Sequence, residues 1–301
     1  MRVFIALFSW VLFFLTVGCD SEPTTEKAAY FQQIENWHKQ RIASLTKKDG
    51  WLTLAGLFWL EEGESTFGSA EDNKIVFPKD KAPAHIGRFI VKGDEISVKI
   101  DSRVTVLHDG QPVQALPLQH DLTGKPTILT LGSLSWYVIK RGDRYLIRLK
   151  DSEHPRLKEF KGIERYPVDV RWRVKARLEP YNPPKKLHIA NVLGQVSETD
   201  CPGALVFEID GKEYRLDPEG KMGEKEWFLN FSDETSGRET YGAGRYLVID
   251  APDENGITYI DFNKAYNPPC AFSPFATCPL PPKQNKLLLR ITAGEKDYGH
   301  H

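Results

Sequence analysis

The sequence lacks the signatures that usually name an enzyme. It has no G-x-S-x-G nucleophile elbow, no phosphate-binding loop and no dinucleotide glycine fingerprint. His38, His85, His108, His120, His154 and His188 are scattered, and no H-E-x-x-H or H-x-H pair offers metal-ligand spacing. No metal and no cofactor is therefore expected. Forty basic residues stand against 41 acidic ones, and no basic stripe interrupts that balance, so nucleic acid is not an expected partner. Strand and helix patterns do not alternate, which argues against a parallel doubly wound sheet. There is no internal repeat, no low-complexity tract, and no apolar run after the first that is long enough to span a bilayer.

That first run is the clearest signal present. Met1-Arg2 is a short basic start, Val3 to Val17 is almost unbroken apolar sequence, and polar Asp20-Ser21-Glu22-Pro23 follows at once. Such a segment is a secretory signal or a short membrane anchor. Leu15-Thr16-Val17-Gly18-Cys19 resembles the lipobox of bacterial lipoproteins, with Thr16 where leucine is commonest. The resemblance implies removal of residues 1–18 and lipid modification of Cys19, which would hold the chain on a membrane. Asp20 resembles an inner-membrane retention signal, and the chain is expected to face the periplasm or cell exterior. The alternative is an uncleaved helix.

Residues 19–29 read as a polar tether. From Tyr30 to Leu45 the residues Phe31, Ile34, Trp37, Ile42 and Leu45 fall near helical spacing, and Lys47-Lys48-Asp49-Gly50 ends the pattern. The dense apolar stretch Gly50 to Leu60 reads as core, with a surface aromatic platform as the alternative. Short strands then follow, separated by Lys92-Gly93-Asp94, Asp109-Gly110 and Arg141-Gly142-Asp143 turns. A brief helical turn after Pro155, broken at Gly162, is the best junction between two lobes, 30–160 and 161–295. Strand patterning resumes from Val168, and residues 296–301 read as a frayed tail. The expected fold is α+β and mostly β: one N-terminal helix, then antiparallel sheets in a sandwich or open barrel.

Two segments concentrate unusual chemistry. Between Ile257-Tyr259-Asp261 and a second expected strand, Leu287 to Ile291, lie six prolines and the C-x7-C pair Cys270 and Cys278. Proline removes backbone donors, so this span is neither helix nor sheet ladder, and a long loop of that kind is functional or pinned. Ahead of it, Ser232 to Tyr246 crowds Arg238, Arg245, three carboxylates and three glycines into one link. Arginine forks suit carboxylate or phosphate, and glycine permits close approach; an ordinary solvated hairpin is the alternative. Three readings of the thiols stand: a Cys270–Cys278 disulfide closing a small ring, a metal site adding Cys201 and a histidine, or a reactive thiol activated by Arg238 or Arg245. Free buried cysteines are the remaining possibility.

The stretches G-W-L-T-L-A-G-L-F-W-L from Gly50, D-E-T-S-G-R-E-T-Y-G-A-G-R-Y-L from Asp233 and D-F-N-K-A-Y-N-P-P-C-A-F-S-P-F-A-T-C-P-L-P-P from Asp261 resemble a bacterial and archaeal family, domain of unknown function 1684. The resemblance implies one module over most of the chain, often on secreted or lipid-anchored proteins, and implies no reaction. Relatives commonly carry Glu-Asn after the last motif, where this chain has Gln284-Asn285.

The expected function is a lipid-anchored module binding a small anionic ligand or a protein partner where the two segments meet. Arg238 and Arg245 would pair the anion, Tyr241 and Tyr266 would form apolar walls, and Asp261 and Asn263 would fix orientation. The alternative is a hydrolase with Asp261 or Glu234 as general base for water. A third reading makes the cluster purely structural.

Overall fold

The computed structural model describes residues 22–299. The apolar segment expected to be a signal, and Cys19, lie outside the described residues. The chain is mostly β with one long N-terminal helix and antiparallel sheets. No described helix is long and apolar enough to cross a membrane.

The helix α1 spans Glu22–Leu45, so residues 22–29 are helical rather than a tether. Lys27, Ala28 and Ala29 are strong helix formers, and Pro23 falls in the first turn, where no intrahelical N–H bond is lost. Ile34 and Leu45 are fully buried. The Tyr30 hydroxyl donates to Asp261 Oδ1 at 2.9 Å.

Two sheets then enclose one core. The first has the strand order Leu54–Leu60, Arg144–Asp151, Leu134–Arg141, Leu129–Leu131, Val106–His108, Gln111–Val113. The second runs Ile75–Val76, Gly63–Gly68, Gly87–Lys92, Glu95–Ile100, Ala115–Pro117, with one short parallel pair at its edge. Phe67, Phe89 and Val98 from the second sheet meet Trp136, Ile147 and Leu149 from the first. Side chains alternate across a strand, so Leu146, Arg148 and Lys150 occupy the other face of the first sheet. The expected core stretch Gly50 to Leu60 divides: Leu52 and Leu54 are buried, while Trp51 and Trp59 are half-buried.

A second core lies further along the chain. Lys212–Leu216, Val196–Ile209, Arg173–Ala190 and Ile257–Asp261 form one sheet, and Glu226–Phe231 pairs with Arg245–Asp250 in another. Phe207, Leu229, Phe231, Leu247 and Phe262 fill the space between them. The Tyr181-Asn182-Pro183-Pro184 interruption within Arg173–Ala190 is absorbed as an irregularity in its pairing with Val196–Ile209. The tip of that long hairpin reaches the proline loop, with Val192 N–H donating to Cys278 O at 3.0 Å and Leu280 N–H to Ala190 O at 2.7 Å.

Two expectations fail at the C-terminus. Leu287 to Ile291 is not a strand. Its amides are spent on single links: Leu287 N–H donates to Ser232 O, and Ile291 N–H to the Asp233 carboxylate. Residues 296–298 are not frayed: Lys296 N–H bonds Glu164 O, Asp297 N–H bonds Glu239 O, and Tyr298 packs on Phe160 and Phe272.

Candidate functional site

The proline loop is pinned by a disulfide between Cys270 and Cys278, whose Cα atoms are 6.1 Å apart. Cys201 is free and fully buried, and burial pushes its thiol up to about 12, far above the range of a reactive thiolate. Among the described residues no group of three or more His, Cys, Asp or Glu is placed to hold a metal ion. The metal and reactive-thiol readings therefore find no support.

The loop closes one side of a cleft of about 600 Å³. On the remaining sides stand α1, Trp51, and the non-core faces of two strand pairs. Arg141 and Arg148 come from the outer face of the first sheet. Phe228 and Tyr246 come from the Glu226–Phe231 and Arg245–Asp250 pair, whose alternate positions Trp227, Leu229 and Leu247 face the second core. The loop contributes Tyr266 and Thr277. Tyr246 hydroxyl and Asn230 Nδ2 both donate to Pro279 O, at 2.9 and 3.0 Å, which holds the loop against this strand pair.

Among the described residues three arginines line the cleft and no carboxylate does. Two of the three are paired behind it. Arg41 Nε lies 3.2 Å from Glu295 Oε1, its Nη2 donates to Asn267 O at 2.8 Å, and its guanidinium sits 4.7 Å from the Tyr266 ring centre. Arg141 Nη1 lies 2.6 Å from Asp121 Oδ2. Arg148 is different. It is 4% exposed, makes no ion pair among the described residues, and its buried Nε–H has no hydrogen-bond partner. Its Nη2 donates to Thr277 Oγ1 at 3.2 Å, and the Trp51 ring centre lies 5.3 Å from its guanidinium carbon. An uncompensated buried cation is costly, which makes it a marker for a missing anion.

Thr277 Oγ1 also accepts from Arg141 Nε at 3.0 Å. Both lone pairs of the hydroxyl are thereby used, and its own hydrogen remains to be donated. Burial raises the Tyr266 and Tyr246 phenols above their ordinary value, so both remain neutral apolar walls with a polar tip.

Of the residues expected to form the site, Tyr266 alone lines this cleft. Tyr241 packs in one cluster with Trp51 and the disulfide and does not line the cleft. Asp261 and Asn263 belong to a different network: Asn263 Nδ2 donates to Asp261 Oδ1 at 3.1 Å and to Tyr30 Oη at 2.9 Å. Asp261 faces a separate hollow with Arg173 and Lys264. Arg238 is exposed, without an ion pair among the described residues. Arg245 is fully buried, 3.4 Å from Asp233 Oδ1, and donates to the carbonyls of Ile291 and Ala293. It cannot meet a ligand. The physical reason is geometry: Gly244, at φ +92°, turns the chain where a Cβ would lie 2.5 Å from Phe231 O, and Arg245 enters the core. Glu234 is exposed and outside the cleft, and Asp261 is committed to Tyr30 and Asn263, so neither is placed there as a base. Gln284 Nε2 donates to Asp217 Oδ2 at 3.2 Å, and Asn285 staples backbone: its Oδ1 accepts from Asp217 N–H at 2.8 Å, and its Nδ2 donates to Asn230 O at 3.0 Å.

Sequence reasoning missed Arg41, Arg141, Arg148, Trp37 and Thr277. The only available signal was the C-x7-C spacing, which places Thr277 beside a pinned cysteine.

Residues 158–296 match the model of the family described as "Protein of unknown function (DUF1684)". The match contains the Asp233 and Asp261 motifs and the whole proline loop, while the Gly50 stretch lies outside it. No curated protein matches the sequence. Among solved structures, the solution structure of an uncharacterized protein from gene locus rrnAC0354 of Haloarcula marismortui is 28% identical over 46% of this chain and 78% of that one, with a TM-score of 0.39. The FhaA FHA domain complexed with the intracellular domain of Rv3910 is 15% identical over 31% of this chain and 97% of that one, at 0.23. At these scores neither overlap bears on the site.

Proposed function

We propose that the chain is a lipid-anchored extracytoplasmic binding module that holds a small anionic ligand in the cleft between α1, the Leu134–Arg141 and Arg144–Asp151 strands, and the proline loop. The single observation that carries this reading is Arg148: a buried guanidinium lining the cleft, without a carboxylate partner and with an unsatisfied Nε–H. The cleft volume of about 600 Å³ suits a small molecule rather than a protein segment. The lipobox-like Leu15 to Cys19 supports the anchor, and the Cys270–Cys278 bridge suits an oxidising compartment.

Native mass spectrometry of the chain after Cys19, purified without denaturant, tests the binding reading. A retained small anion is expected on the native protein and should be absent from the Arg148→Met variant. Retention of the same ligand by both would place binding elsewhere. Intact-mass analysis of membrane-extracted protein tests the anchor, since diacylglyceryl modification adds a defined mass at Cys19.

A further inference from the structure

Resting on that binding site, we infer that its ligand class is the apolar monocarboxylate: one carboxylate on a flat hydrophobic body. The charge count across the cleft leads there. Arg41 is compensated by Glu295 and Arg141 by Asp121, at 3.2 and 2.6 Å. Among the described residues Arg148 is the lining arginine without an ion pair, so the cleft has one positive charge to neutralise. A ligand with a single negative charge closes that account. A phosphate monoester carries about 1.5 to 2 negative charges near neutral pH and would bring an unmatched charge into a poorly solvated site.

The donors agree with the count. Among the described residues Arg148 gives one of its five guanidinium hydrogens to Thr277 and the others find no protein acceptor, while the Thr277 hydroxyl, whose lone pairs are taken by Arg141 and Arg148, has its own hydrogen to give. Two parallel N–H groups on one guanidinium edge match the two oxygens of a carboxylate. The wall beside them is largely aromatic: Trp37, Trp51, Phe228 and Tyr266 line the cleft, with Gln40 and Ser44 as uncharged polar side chains. Offset or edge contact with such rings favours a planar apolar body over a flexible polar one.

Isothermal titration calorimetry with three matched probes decides the matter: 2-naphthoate, 2-naphthyl phosphate and neutral 2-naphthamide, each on wild type, Arg148→Met and Arg148→Lys. The expected order is naphthoate tighter than naphthyl phosphate, and tighter than naphthamide by about tenfold or more, the worth of one charge-assisted hydrogen bond. Arg148→Met should lower naphthoate affinity by about 10- to 100-fold. Arg148→Lys, which keeps the charge and loses the fork, should fall between. Thermal melts of both variants verify folding. Tighter binding of naphthyl phosphate, lost in Arg148→Met, would overturn the carboxylate assignment and leave anion binding standing. Equal binding of naphthamide and naphthoate, or no heat from any probe, would overturn both.

Discussion

Arg148 and Thr277 are 3.2 Å apart, guanidinium to hydroxyl, although 129 residues separate them in the chain. That contact joins a strand of the first sheet to the disulfide-pinned loop of the second half, and it lies on the wall of the cleft.

Thr277→Val should uncouple the two. It removes the acceptor shared by Arg141 Nε and Arg148 Nη2, leaving two guanidinium donors short of a partner. A stability loss of about 1–3 kcal/mol is expected. Urea denaturation measures it, and Thr277→Ser, which keeps the hydroxyl, should restore most of the loss.

The two arginines of the Ser232–Tyr246 link should behave oppositely. Arg245 is fully buried against Asp233 and three carbonyls, so Arg245→Ala should cost about 3–5 kcal/mol by leaving the buried Asp233 carboxylate without its cation. Arg238 is exposed, and Arg238→Ala should stay within about 0.5 kcal/mol of wild type. Equal losses at both positions would contradict the assignment.

How much of this was legible follows from what each residue type encodes. Alternation marks the strand that follows the Lys92-Gly93-Asp94 turn, Glu95–Ile100, because one of its faces is apolar. The helix was visible from Tyr30, where buried side chains begin, but not from Glu22, where propensity alone carries it. The loop was legible from its prolines and cysteines. The cleft was not. On a strand read as Arg144–Asp151, Arg148 stands between Leu146 and Lys150 on the polar side and looks like any solvated arginine. It becomes buried and unpaired only once the proline loop from the far end of the chain covers that face. Arg245 misled for the converse reason: a glycine-rich polar link signals close approach, and here the approach is to the chain's own carbonyls.

Stability should decline as pH rises from about 4.5 to 7 through Glu219. Burial pushes this carboxyl up to about 7 from an ordinary 4.5, and its Oε1 has no partner. The folded state holds that proton more tightly than the unfolded one. Its contribution is therefore fully present below the unfolded value and lost as pH climbs through the folded one. The loss is at most about 3 kcal/mol. Glu219→Gln should flatten it, gaining stability at pH 8 and little at pH 4, as read from melting temperatures across that range.

The Cys270–Cys278 bridge closes a loop with a sequence separation of 8. Replacing both cysteines by alanine should cost about 2–3 kcal/mol on the chain-entropy account. Because Thr277 adjoins Cys278, the same variant should also weaken anion binding, which titration with 2-naphthoate would register.

The most direct test is the Arg148 Nε–H itself, observed by ¹⁵N–¹H NMR in the arginine side-chain region and assigned by its absence in Arg148→Met. Titration with 2-naphthoate should move that cross-peak progressively to the position expected of a charge-assisted hydrogen bond, while the Arg245 signal stays fixed. An unmoved Arg148 signal at saturating naphthoate would mean that the unsatisfied donor is not the ligand's partner.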